Sequence, residues 1–193
     1  MECQSNYRIL DVTFIFNMDF SELVLEQLDT TFKKYDLQVI EQRRDYLKLQ
    51  SEVLTIIIAH NELEHSNVFW LGERGKVDLV EINNKLLELY FKSKLKLSQV
   101  SVEIFVKNLC AFFRCEGKYL FESTTEVYKL EEFDLKSSQE HTRNLISAQN
   151  LVSADIAWKD NDYSGFIKIL DEIDQDVLPS SYKLKYKIAQ NKK

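Results

Sequence analysis

His60 and His65 bracket the tetrapeptide Asn61-Glu62-Leu63-Glu64, and two imidazoles this close are the first place to look for metal chemistry. A metal site needs three or four N, O or S donors converging on one point. The spacing is not that of an HExxH helix, no third donor is fixed by the sequence, and the rings fall at opposite ends of what reads as a hairpin loop. They are read as exposed loop histidines. Cys110-x4-Cys115 lacks the CxxC spacing of zinc and redox motifs and sits beside the apolar run 109–113. With Cys3 the cysteines number three, so they cannot all pair internally. Buried free thiols of a reducing compartment are the expectation. His141 falls in the first turn of a predicted helix and reads as exposed.

Backbone-built chemistry is scarce as well. There are four glycines and one proline, where a chain of this length would average about 13 and about 10. Phosphate cradles and strained nucleophile turns both draw on glycine. Gly72-Glu73-Arg74-Gly75 is the only paired-glycine site and reads as a hairpin-end turn. No GxGxxG, Walker A, GxSxG or SxxK pattern occurs. Acids are plentiful, but a catalytic carboxylate pair is defined by separation in space, not by abundance. The expectation is a protein that is not an enzyme and takes neither cofactor nor metal.

Charge is the stronger signal. Formal net charge is −6, which disfavours direct nucleic-acid binding. Residues 116–176 carry 14 acids against 6 bases, whereas residues 177–193 carry five lysines and no acid. A solvated acidic face with a basic terminal helix suited to its own macrodipole accounts for this. So does an acidic docking face for a basic partner. The segment 1–6 is polar and no apolar stretch with a small-residue cleavage site follows it. Aliphatic stretches such as 54–59 are too short to span a bilayer. A cytoplasmic location and no membrane partner are expected.

These residues need elements to hold them. Asp19-Phe20-Ser21-Glu22 has the spacing of a capping box, and Phe20, Leu23, Val24, Leu28, Phe32 and Tyr35 follow at helical intervals. Residues 12–16 are β-branched and aromatic, equally compatible with a strand or an early helical turn. From Leu37 the period shortens. Val39, Leu47, Leu49, Leu54, Ile56, Ile58, Val68 and Trp70 alternate with other residues, with breaks at 43–45, 51–52, 61–65 and 72–75. That predicts four strands paired antiparallel in sequence order, one face covered by the preceding helix. The strand at 53–60 is apolar on both faces and should be central. Beyond Gly75 the pattern is helical. One short helix carries Ile82, Leu86, Leu89 and Tyr90. A second bears the aromatic stripe Val102, Phe105, Val106, Leu109, Phe112 and Phe113. A third spans 118–133. Ser137-x-x-Glu140 reads as another capping box that opens a helix to about residue 159. Two more follow, over 162–174 and from Pro179 to about 190. The predicted class is α+β: a helix-plus-sheet lobe over 1–80 and a helical lobe over 81–193, forming one compact unit. Trp158 and Tyr163 bracket a helix–helix turn as packing anchors.

Two stretches carry a resemblance. One is Asp45-Tyr46-Leu47-Lys48-Leu49-Gln50-Ser51-Glu52 with Leu54-x-Ile56-x-Ile58. The other is Ala157-Trp158-Lys159-Asp160-Asn161-Asp162-Tyr163 with Ile167, Leu170, Leu178-Pro179, Leu184-Lys185-Tyr186 and Ala189. Together they resemble small bacterial proteins with an N-terminal helix-plus-sheet unit and a C-terminal helical hairpin, some of them immunity proteins of polymorphic or contact-dependent toxin systems. The Trp-Lys-x-x-Asp-Tyr pattern also looks like half a tetratricopeptide unit. Gly165 and Phe166 stand where that repeat often has an alanine pair, so one hairpin is expected, not an array. The resemblance implies an immunity protein that binds and neutralises a cognate toxin domain, which could be a basic nuclease. Charge pattern places the partner-binding acids at Asp171, Glu172, Asp174 and Asp176, and in a second strip at Glu122, Glu126, Glu131, Glu132 and Asp134. The alternative is an interaction adaptor or structural subunit docking through a partly exposed helix at 102–113.

Overall fold

The computed structural model describes residues 18–174, 176 and 178–192. Cys3 and the segment 12–16 lie outside the described residues. The chain divides into two compact units, 1–134 and 135–193.

The first unit is α+β. Helix α1 (Phe20–Lys34) begins where Asp19 donates its backbone N–H to the Glu22 carboxylate at 3.2 Å, as its spacing predicts. It buries Phe20, Leu23, Val24, Leu28 and Phe32, and Tyr35 stacks on Phe121 at 4.5 Å. An antiparallel sheet follows in sequence order: β1 (Gln38–Arg43), β2 (Tyr46–Gln50), β3 (Leu54–Asn61), β4 (Ser66–Glu73) and β5 (Val80–Glu81). The sheet therefore has five strands, not the expected four. The extra strand is two residues long, too short to show alternation, and it pairs through Val80 opposite Leu71. The apolar strand β3 is central, as expected.

Period-2 alternation sends Leu47, Leu49, Leu54, Ile56, Ile58, Phe69, Leu71 and Val80 to one face, where all are buried. Helix α2 (Asn84–Leu89) is capped by Asn83, whose side chain accepts from the Leu86 N–H at 3.0 Å. Helix α3 (Val102–Arg114) begins at the cap Ser101. Its aromatic stripe meets the sheet edge-to-face: the Phe69 ring lies 5.7 Å from Phe112 and 5.4 Å from Phe113. Phe105, Val106, Leu109, Cys110, Phe112 and Phe113 are all buried, so this helix does not offer the exposed aromatic face that the adaptor reading needs. After Gly117 a 3-10 turn, Lys118–Phe121, brings the chain to helix α4 (Thr124–Lys159). A Cβ at Gly117 would collide with the Phe112 ring.

Helix α4 is one helix of 36 residues, where the sequence predicted two. No glycine or proline lies between Thr124 and Lys159, so nothing forces a break, and Ser137 is not a cap. Its first turns bury Val127 and Leu130 in the core of the first unit. In the second unit its last turns pack with helix α5 (Tyr163–Asp171) and helix α6 (Ser180–Lys192) around Ala154, Phe166, Ile167, Leu170, Ile173, Leu178 and Ala189. Trp158 anchors the turn, 5.5 Å from Tyr163 and 5.1 Å from Phe166. The Asp162 cap carboxylate accepts the Gly165 N–H at 2.8 Å and lies where a Cβ on residue 165 would be. That is a local reason for glycine at this position.

Candidate partner-binding surfaces

The face of the sheet opposite α1 and α3 is the feature that sequence reading missed. Cross-strand register sets Glu41, Lys48, Ile57, Trp70 and Glu81 in one row, and Arg43, Tyr46, Ala59 and Val68 in the next. Tyr46, Ile57, Ala59, Val68 and Trp70 are all only partly buried, and none belongs to the core cluster or packs against it. Five apolar side chains on three adjacent strands thus share a second face, half-buried and outside the core cluster. The signal was present: alternation leaves Ile57 and Val68 on the face opposite Ile56, Ile58 and Phe69, in positions that a solvated face normally gives to polar residues.

Charges rim this face. Arg43 Nη2 pairs with Glu41 at 2.6 Å, and its guanidinium carbon lies 6.0 Å from the Tyr46 ring centroid. Burial, followed by the nearby Glu41 charge, raises the Tyr46 phenol pKa above its ordinary value. A shallow depression of about 390 Å³ is lined by Glu41, Arg43, Asp45, Tyr46, Ala59 and His60. At the other end of the face Leu79 lies against Gly72, where a Cβ would come within 2.8 Å of its Cδ2.

The two histidines do separate things. Asn67 donates from Nδ2 to the Val100 carbonyl at 2.8 Å, which leaves Oδ1 to accept from His60 Nδ1 at 2.9 Å. The His60 ring packs 5.5 Å from Phe20. His65 occupies the turn with φ of 48° and is exposed. Asn61 Oδ1 organises that turn by accepting from the backbones of Leu63 and Glu64. His141 is exposed on α4. Among the described residues no group of three or more His, Cys, Asp and Glu could hold a metal. Among the described residues neither Cys110 nor Cys115 forms a disulfide. Burial pushes the Cys110 thiol pKa up, consistent with a packed rather than a reactive sulfur.

The first acidic cluster lies where charge patterning put it, at the end of α5 and in the turn beyond. Glu172, Asp174 and Asp176 are exposed. Asp174 Oδ1 accepts from the Asp176 backbone at 2.9 Å, and Asp171 accepts the Tyr186 hydroxyl at 2.6 Å. Asp171 is therefore shared with an internal contact. The second set is not one strip. At 100° per residue, Glu126, Asp134, Glu131 and Glu132 on α4 point about 0°, 80°, 140° and 240° around the axis. Glu126 pairs with Lys129 at 2.7 Å. Glu131 meets Lys76 at 2.5 Å and the Glu73 backbone N–H at 3.3 Å. Burial raises the carboxyl pKa of Asp134. Glu122 and Glu132 are exposed.

Against protein-family models, curated proteins and solved structures, the chain finds no match. Among the described residues no helix is long and apolar enough to cross a membrane.

Proposed function

We propose that this chain is a partner-binding protein of the immunity type, a non-enzymatic cytoplasmic inhibitor that covers a cognate toxin domain. The observation that carries the reading is the half-buried apolar sheet face outside the core cluster, with Trp70 beside Ile57 in one row. Interface hot spots are enriched in tryptophan, tyrosine and arginine, and Trp70, Tyr46 and Arg43 share this face. A contiguous apolar patch rimmed by polar groups marks an interaction surface. The acidic balance of the chain supports a basic partner, for which a nuclease domain is the natural example, because opposite net charge speeds encounter.

The direct test mixes the purified chain with the toxin domain encoded beside its gene and measures affinity by calorimetry. Trp70→Ala should weaken binding by about 2 kcal/mol, roughly 30-fold, with the fold retained because Trp70 lies outside the core. Absence of binding, or binding indifferent to Trp70, overturns the assignment of this face.

A further inference from the structure

Helix α6 turns a second, chemically opposite face outward. Its rotation is fixed by what it turns inward. The Tyr182 hydroxyl donates to Asp155 at 2.7 Å, Lys185 pairs with the same carboxylate at 3.0 Å, the Tyr186 hydroxyl donates to Asp171, and Ala189 is buried. Lys183, Leu184, Lys187 and Ile188 then occupy an outward arc of about 140°. Leu184 is 62% exposed and Ile188 39%. Lys183 and Lys187 are exposed, and among the described residues neither has an ion-pair partner. Two apolar side chains one helical turn apart, bordered on one side by two ammonium groups one turn apart, form a small face of defined charge.

We infer that this outward face of α6 docks an acidic amphipathic helix of a protein partner. The partner would present apolar side chains at one-turn spacing, with carboxylates opposite Lys183 and Lys187. Charge decides the sign of the occupant: the charged side chains of this arc are Lys183 and Lys187, both exposed, so it favours carboxylates across from it. Size decides against a lipid surface. An interfacial helix needs a broad apolar face, whereas Ser180, Ser181, Gln190 and Asn191 around this one are polar and exposed. The inference is independent of the sheet face, since it concerns a different surface and a partner of opposite charge.

The probe is a fluorescently labelled helix-forming peptide with leucine and glutamate each repeated at one-turn spacing, titrated with the full chain and followed by anisotropy. Saturable binding is expected, weakened at least about tenfold by Lys183→Glu with Lys187→Glu, less by the paired glutamine changes, and strongly by Leu184→Ser with Ile188→Ser. Raising salt from about 50 to about 500 mM should weaken it as well. Thermal melts confirm that each variant folds. No saturable binding, or binding insensitive to both pairs of positions, overturns the proposal. So does lysine-dependent uptake of the chain by phosphatidylserine vesicles without peptide binding.

Discussion

Asp155 shows how a single side chain in the second unit does several jobs. Hydrogen bonds from Tyr182 and then Lys185 hold its carboxyl pKa below the ordinary carboxylate value. Tyr182 is pushed up to about 12, by burial first and by Asp155 second. The signs follow from linkage. The depressed carboxyl contributes stability that is present above its unfolded value and fades as pH falls through the folded one. The raised phenol contributes stability that is present below its unfolded value of 10.0 and fades as pH rises towards 12. Spectrophotometric titration, with the Tyr182→Phe difference isolating this phenol, should place its ionisation near 12. Asp155→Asn should bring it partway back, because the burial contribution remains. An unchanged ionisation in Asp155→Asn would mean that Asp155 does not set it. Tyr182→Phe itself should cost about 1 kcal/mol, the net worth of one hydrogen bond at a partly exposed site.

At the scale of the element, the aromatic stripe of α3 and the length of α4 make opposite demands. Phe113 meets Phe32, Phe69, Phe112 and Phe121 within 6.2 Å and is fully buried. Phe113→Ala should therefore cost about 3–5 kcal/mol by chemical denaturation. Ser137 sits inside α4 rather than at its start, so Ser137→Ala should change stability by less than about 0.5 kcal/mol. A real N-cap would lose about 1 kcal/mol, and that loss would indicate a break in the helix. These two cases mark what the sequence could reveal. Apolar periodicity found α1, α3 and strands β2 to β4, because burial on one face imposes a period that survives in the residue types; β1 is exposed along almost all its length and was marked by the break that follows it at 43–45. It could not find β5, which is two residues long, nor exclude a start at Ser137, because a serine three residues before a glutamate has the same spacing whether or not the backbone before it leaves the helix. The acids of the second set were legible as charge but not as geometry. Glu131 reaches Lys76 across 55 positions of sequence, a pairing that only the fold creates. The second apolar sheet face was written in Ile57, Val68 and Trp70, but alternation shows that two faces differ without saying which one will pack against the helices.

The whole molecule offers an acidic exterior and an apolar anchor, and these two should separate cleanly in kinetics. Net charge acts at a distance, before contact, and is screened over about 8–10 Å at physiological salt. Packing of Trp70 acts only after contact. Replacing Asp171, Glu172, Asp174 and Asp176 with their amides removes four negative charges from a chain of net charge −6. All four side chains are exposed, and among the described residues none has an ion-pair partner and Asp171 accepts the Tyr186 hydroxyl, so the thermal midpoint should hardly move. Association with a basic partner should slow, by roughly tenfold at low salt, and the difference should vanish at high salt while dissociation stays the same. Trp70→Ala should do the reverse: an unchanged association rate, faster dissociation, and no dependence of the ratio on salt. Stopped-flow measurements at two ionic strengths distinguish the two effects. If the amide variant instead speeds dissociation and leaves association alone, the acids are contact residues and not a steering field. If neither rate responds, the cluster is solvated surface, and the partner's charge must be met elsewhere on the molecule.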